Sequence, residues 1–504
     1  MSLKQNTLAN YLGQGWTALM GLAFVPVYIH ALGVEAWGLV GFMSMLQAWL
    51  LVLDLGLAPT LSREMARFSA GAHSALSIRN LLRSLEWVYG GVALAVMLGV
   101  GLMAPWLADS WLNSEHLVRG DMILAIRIMG LTLAARMAEQ VYRGAIRGMQ
   151  RMVWLNCADA LLAMLRWGGA VAVLAWIEAS IEAFFLWQGI VSLLAVTVLG
   201  WKTAHLLPKV DTPARFDFAA LSRIGRFAAG MAATTFLALL LTQVDKLLLS
   251  TLLPLTGFGY YTLATTVAGA LSFLVMPLAA AAAPHLSELV VRSDEGALIA
   301  IYHRASQWMA AILIPPALVL VAFAEPILWA WTGDARLAQE SASLLAPLAL
   351  GTMLNGFMHI PYQMQLAHGW TGLAVRANLV AVALIVPAIL WTVPTFGALG
   401  AAWVWCALNS GYILFAIHFM HRRLLPSEKW RWYRHAVFAP LVSGGLAALL
   451  LRGMLPEPVG RWQTSMQITL AVGVIALAVW LVVPEGRRFL LDCISRSKKE
   501  LLHG

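Results

Sequence analysis

Ionisable side chains are scarce in the apolar stretches of this 504-residue sequence, and those present fall in groups. Arg127, Arg136 and Glu139 occupy one stretch, and Asp159 and Arg166 the next. Asp54 lies in an earlier stretch, Asp245 and Lys246 in a later one. Arg136, Gln140, Arg143 and Arg147 recur at i, i+4, i+7 and i+11, so a helix would present them as one basic stripe. Asp159 and Arg166 are seven residues apart, two helical turns, which puts both on one face. Arginine offers forked donors that match phosphate oxygens, so this surface could receive a phosphorylated ligand. Lys246 could reach the same anion from the second half of the chain. The competing reading is structural, with Arg136 paired to Glu139 and Asp159 paired to Arg166 to hold helices together.

Asp54, Asp159 and Asp245 are candidates for H⁺ or Na⁺ coupling, because burial disfavours the ionised carboxylate. A hydrogen-bonding role between helices accounts for each of them equally well. Asn6, Asn10, Gln14 and Thr17 form a polar stripe at helical spacing in the first apolar stretch. They could join helices or line a cavity. Cys157, Cys406 and Cys493 have no CxxC spacing, so neither a zinc site nor a disulfide framework is indicated, and no residue pattern calls for a cofactor.

The elements that must position these side chains are set by composition. The chain is 60% hydrophobic and 12% charged, with a mean hydropathy of +0.76. A water-soluble fold cannot bury that much apolar surface. Apolar runs of about 20 residues, enough to cross a bilayer as a helix, repeat along the chain. The fold expected is an all-α polytopic membrane protein with about 14 transmembrane helices. The polar, proline-containing segment 204–226 reads as a cytoplasmic linker. It separates a six-helix lobe over 1–203 from a second over 227–420, and two extra helices with a basic tail follow over 421–504. Proline inside several spans (Pro26, Pro277, Pro315, Pro316, Pro347, Pro387) predicts kinks.

Two stretches repeat. LGVEAWGLVGF resembles LLPLTGFGYYTL, pairing Gly38 with Gly259, and APTLSREMA resembles APHLSELVV, pairing Pro59 with Pro284 and Ser62 with Ser287. Internal repeats are common in secondary transporters, whose substrate sites lie between the repeats. The second copy has apolar Leu274 and Val275 near the place of Asp54, so any chemistry at Asp54 belongs to one half.

The net charge of +9 suggests nucleic acid until its placement is considered. About 26 of the 34 lysines and arginines fall in alternate loops, the positive-inside pattern, which puts both termini in the cytoplasm. Nucleic-acid binding is thereby disfavoured. The outer loops are too short to hold a catalytic domain, which argues against a membrane glycosyltransferase or polymerase and for a protein that is not an enzyme.

Several motifs resemble one family. Asn6-x3-Asn10-Tyr11-Leu12-Gly13 with Gly15-Trp16, Pro26-Val27-Tyr28, and the run Leu53-Asp54-Leu55-Gly56-Leu57-Ala58-Pro59 are similar to the opening of polysaccharide transport proteins. Further likeness lies in Arg147-Gly148-Met149-Gln150-Arg151, Gln243-Val244-Asp245-Lys246 and Gln365-Leu366-Ala367-His368-Gly369. These are O-antigen or Wzx-type flippases of the multidrug/oligosaccharidyl-lipid/polysaccharide exporter superfamily. The resemblance covers residues 1 to about 420. It implies two six-helix lobes around a cavity that opens alternately to either side of a bacterial cytoplasmic (inner) membrane. It implies a cargo of undecaprenyl-pyrophosphate-linked oligosaccharide, a repeat unit of O-antigen or exopolysaccharide. The partners implied are membrane lipids and the polysaccharide polymerase and chain-length machinery. Related lipid II flippases carry basic residues on their first two helices. Here the first span has no charge within it and the second only Asp54, so the phosphate contact is expected at Arg136, Arg166 and Lys246, with Asn10 and Gln14 beside the sugar. A multidrug/cation antiporter of the same superfamily is the alternative.

The charge pattern makes a topological prediction. In a chain freed of its native cysteines, Ser114→Cys is expected to react with a membrane-impermeant maleimide in intact cells. Ser427→Cys is expected to react only after permeabilisation, and the reverse pattern would invert the topology.

Overall fold

The computed structural model describes residues 13, 15–17, 19–456, 460–489 and 491. Among the described residues every regular element is helical. Twelve helices among the described residues are long and apolar enough to cross a membrane. Two further features bring this to the expected architecture. The helix Arg119–Gly148 falls outside the apolar set because Arg127, Arg136, Glu139, Arg143 and Arg147 interrupt its hydropathy. The segment Gly372–Leu424 is continuous in name only. Gly397 breaks it with φ +58°, and a Cβ on Gly400 would lie 2.9 Å from the Thr392 carbonyl oxygen, so the chain folds into a hairpin there.

The chain divides into two compact units, Met1–Gly259 and Tyr260–Gly504. In the first, α1 (Val25–Leu32), α2 (Val34–Leu53), α3 (Leu57–Ser69), α4 (Ala75–Trp106), α5 (Arg119–Gly148), α6 (Met152–Ala163), α7 (Gly169–Trp176), α8 (Ile181–Leu206) and α9 (Phe218–Leu252) follow in order. Helix α5 is the hub and packs on α3, α4 and α8. Its approach to α3 depends on Gly144 and Gly148. A Cβ on Gly144 would lie 2.7 Å from the Ala58 carbonyl oxygen, and one on Gly148 would overlap that of Ser62. Small residues four apart allow such contact where apolar side chains gain nothing by leaving lipid.

The segment expected as a linker is bound to this first unit. Arg79 donates through Nε to the Pro208 carbonyl (2.7 Å) and through Nη2 to that of Leu207 (3.1 Å). The Asp217 N–H donates to Ser84 Oγ (2.7 Å), and the Asp217 carboxylate caps α9 by accepting from the Ala220 N–H (3.0 Å).

Both copies of the repeat are helices interrupted by a break. In the first, Asp54 to Gly56 separate α2 from α3, with Leu55 at φ +51° and Gly56 at φ +70°. In the second, the break falls between α10 (Leu255–Gly269) and α11 (Ser272–Arg292). The registers differ, because Pro59 lies in the first turn of α3 whereas Pro284 lies well inside α11. The paired glycines meet. A Cβ on Gly38 would lie 2.5 Å from the Leu255 carbonyl oxygen, and one on Gly259 would overlap that of Val34.

The second unit continues with α12 (Glu295–Ala322), α13 (Ala324–Thr332), α14 (Ala335–Ala367), α15 (Gly372–Gly411), α16 (Ile417–Leu424), α17 (Lys429–Trp432), α18 (Ala439–Met454) and α19 (Arg461–Val482). It centres on α12, against which α11, α14, α18 and α19 pack. Pro315 inside α12 has no N–H for the carbonyl of Ala311, four residues earlier. The Trp480 indole of α19 donates to that carbonyl at 2.8 Å. With no water at that depth, a carbonyl freed by proline needs such a donor, so the added C-terminal helices complete the proline site.

The glycine contact is testable. Gly38→Leu or Gly259→Leu is expected to lower the thermal unfolding midpoint in detergent, with an overpacking cost of about 1–3 kcal/mol. Gly90→Leu, on a surface with nothing within 4 Å, is expected to leave it nearly unchanged.

Candidate functional site

The charged residues of α5 and α6 converge in the first unit. Asp159 accepts from Arg143 Nη1 at 2.5 Å. Glu139 accepts from Arg143 through Nη2 at 3.1 Å and Nε at 3.3 Å, and its other oxygen lies 3.6 Å from Arg166 Nη2. Glu139 therefore bridges two guanidiniums, and its side chain is only 4% exposed. Arg136, one turn earlier, donates to Gln47 of α2 and, at 3.2 Å, to Gln188 of α8. Two guanidiniums thus share two carboxylates, and the third, Arg136, has only amide partners. Arg136 Nε and both Nε and Nη2 of Arg166 are buried without a hydrogen-bond acceptor among the described residues.

The pairing differs from that expected on helical spacing. Asp159 pairs with Arg143 and Arg166 approaches Glu139, while Arg136 takes two glutamines. The cause is local. Residues Met164–Gly168 form a π-helical turn, so the seven residues from Asp159 to Arg166 do not make two regular α-helical turns. Three consecutive carbonyls of that turn each accept a side-chain donor. Trp187 Nε1 donates to Leu165 (2.8 Å), Gln188 Nε2 to Arg166 (3.3 Å), and the Tyr28 hydroxyl to Trp167. A wide turn inside a membrane is tolerable when its backbone is satisfied in this way. Gln188 holds the Arg166 backbone with one end and the Arg136 side chain with the other.

Asp54 stands apart from this network. It is 6% exposed, accepts from the Ala58 N–H through both oxygens (3.3 and 3.4 Å), and takes the Tyr89 hydroxyl. It caps α3 at the break, a structural task that calls for an acceptor at that point. Asp245 and Lys246 lie on α9, in the first unit and not the second. No hydrogen bond or ion pair among the described residues joins Lys246 to the arginine cluster. Asn10 and Gln14 lie outside the described residues. No group of histidine, cysteine or carboxylate side chains among the described residues could hold a metal ion. Gln47 and Gln188, which hold Arg136, are missed by a search for ionisable groups. Isolated amides in apolar spans were the available signal.

The chain is thus a bundle of membrane-spanning helices with an ion network inside its first unit, and intramembrane charges of this kind mark a functional region. The chain belongs to the family described as polysaccharide biosynthesis protein, whose model matches residues 3–290, more than half of its length. No curated protein matches it. Among solved structures it is similar to the lipid II flippase MurJ in an inward closed conformation, with 12% identity and a TM-score of 0.73 over 97% of this chain and 99% of that one. It is also similar to an inward-facing multidrug resistance MATE family transporter of the MOP superfamily, with 15% identity and a TM-score of 0.62 over 84% of this chain and 96% of that one. The MATE multidrug transporter DinF-BH gives 14% identity and a TM-score of 0.59 over 84% of this chain and 95% of that one. At these identities the likeness establishes a shared fold, that of the MOP transporters.

Glu139 generates a prediction. Glu139→Gln leaves three guanidiniums with one carboxylate, and breaking a buried pair costs about 3–5 kcal/mol. A sharp loss of monodisperse protein on size exclusion in detergent is expected. Adding Arg166→Gln to that variant is expected to restore much of it.

Proposed function

We propose that this chain is a flippase that carries a polyprenyl-pyrophosphate-linked oligosaccharide from the inner to the outer leaflet of the bacterial inner membrane by alternating access. Both termini lie in the cytoplasm on this reading, and the O-antigen or exopolysaccharide repeat unit is the cargo class. The observation that carries it is the pair Arg136 and Arg166, whose buried donors lack hydrogen-bond acceptors among the described residues, beside Arg143, which is paired to Asp159 and Glu139. An unmet guanidinium donor inside a membrane is costly, and a diphosphate supplies both the missing acceptors and the missing negative charge. Family membership supports polysaccharide biosynthesis, and the MurJ fold supports a lipid-linked cargo. Arg136 and Arg166 are the main phosphate contacts in this scheme. Lys246 supplies further positive charge along the path, and Asn10 and Gln14 meet the sugar. The protein hands its cargo to the polymerase and chain-length machinery.

Coupling to H⁺ or Na⁺ is a second element of the proposal. Asp159 is the best-placed acid for it, because its partner Arg143 also binds Glu139, so loading Asp159 would redistribute the guanidiniums that hold the diphosphate. Asp245 and Asp54 are the other acids for this role. A multidrug antiporter is the competing reading, supported by the MATE-like fold.

Complementation separates these readings. In a strain lacking the chromosomal copy, Arg136→Gln and Arg166→Gln are expected to abolish surface glycan at normal membrane abundance, and neither is expected to change drug resistance. Full glycan with both variants would defeat the site assignment. A drug-sensitivity phenotype with intact glycan would favour the antiporter.

A further inference from the structure

The second unit holds a groove of about 1050 Å³ along the hairpin that turns at Gly397 within α15 and continues into α16. Its walls are apolar, with Leu384 and Phe415 more than 60% exposed, and its one polar end carries Arg376, Arg422 and Arg423. No carboxylate pairs with these three arginines among the described residues, unlike the arginines of the first unit. Arg423 is held over the Trp370 ring, its guanidinium carbon 4.3 Å from the ring centroid. The groove is thus amphipathic along its length. A cluster of unpaired arginines sits where the hairpin enters the membrane, and a long apolar channel runs from it toward the other face. The positive-inside pattern puts the arginine end at the cytoplasmic leaflet.

That charge distribution complements one class of molecule. We infer that the groove is a binding site for an anionic phospholipid of the inner leaflet, its phosphodiester held by Arg376, Arg422 and Arg423 and an acyl chain laid along Leu384 and Phe415. Bulk lipid would cover an apolar wall without preference. Three unneutralised guanidiniums at one end select for a negative headgroup, because paired arginine and phosphate form charge-assisted hydrogen bonds. The site is separate from the Arg136 and Arg166 cluster and does not depend on the transport reading.

Photocrosslinking with the full chain tests this. Protein in vesicles of phosphatidylcholine containing one-tenth phosphatidylglycerol would be irradiated with a trace of phosphatidylglycerol bearing a diazirine on its acyl chain. Crosslinks are expected to concentrate between residues 380 and 415. A diazirine phosphatidylcholine probe is expected to give a weaker and more even pattern. Arg422→Gln is expected to weaken capture of the phosphatidylglycerol probe about fivefold, the effect of one basic residue near a membrane surface. Gly411→Trp, which fills the groove without altering charge, is expected to reduce labelling as well. Both variants are expected to elute as folded protein on size exclusion, which serves as the control. Equal labelling by the two probes would overturn the inference, as would labelling unchanged in both variants. Displacement of the probe by soluble glycerophosphoglycerol would show a headgroup site without the acyl channel. Displacement by undecaprenyl phosphate at far lower concentration than by phosphatidylglycerol would make the occupant a polyprenyl lipid. Either result would also overturn it.

Discussion

The first unit depends on keeping several arginines inside a bundle that faces lipid. One charge at the centre of a membrane helix costs roughly 2.5–3.5 kcal/mol on insertion scales, and three in one place cost more through mutual repulsion. The structure meets this with Glu139, whose two oxygens face Arg143 on one side and Arg166 on the other. Asp159 takes the remaining donor of Arg143, and Gln47 and Gln188 take Arg136. The amides are as necessary as the acids. They supply acceptors without cancelling charge, so the cluster keeps an excess of positive charge.

Backbone irregularity serves the same end. Arg166 lies within the π-turn and approaches Glu139, and Trp187, Gln188 and Tyr28 satisfy the carbonyls exposed by the wide turn. The break at Asp54 to Gly56 follows the same logic, with Asp54 receiving the N–H that the new helix start leaves over. At Pro315, Trp480 supplies the donor that proline removes. In lipid, each departure from regular helix needs a named side chain close by. The side chains that fill this role come from distant parts of the sequence.

Glycine governs how closely the helices approach. Gly144 and Gly148 let α5 lie against α3, and Gly38 and Gly259 let the equivalent points of the two repeats touch. Close approach brings α5 and its arginines within reach of α2 and α8. Packing and electrostatics are therefore coupled, since an added methyl group at Gly144 would move the arginines relative to Gln47 and Glu139.

That the chain is a helical membrane protein is legible in the order of its residues, because bilayer thickness sets the length of an apolar run that can span it. That order also exposes the basic stripe of α5 and the paired glycines, since 3.6-residue spacing and local similarity are visible without coordinates. Which acid meets which arginine is visible only once the helices are packed. Spacing placed Asp159 with Arg166 on the assumption of regular helix, whereas the helix has a π-turn there and Asp159 pairs with Arg143. No local signal in Met164 to Gly168 encodes that turn, whose stability comes from residues on α1 and α8. Asp54 shows the same division. Its burial was legible from its apolar neighbours, but its work as a cap became visible only with the backbone reversal at Leu55 and Gly56 and the hydroxyl of Tyr89 from another helix. Hydropathy is a sum over local residues, whereas the partner of a buried charge is set by how distant helices pack.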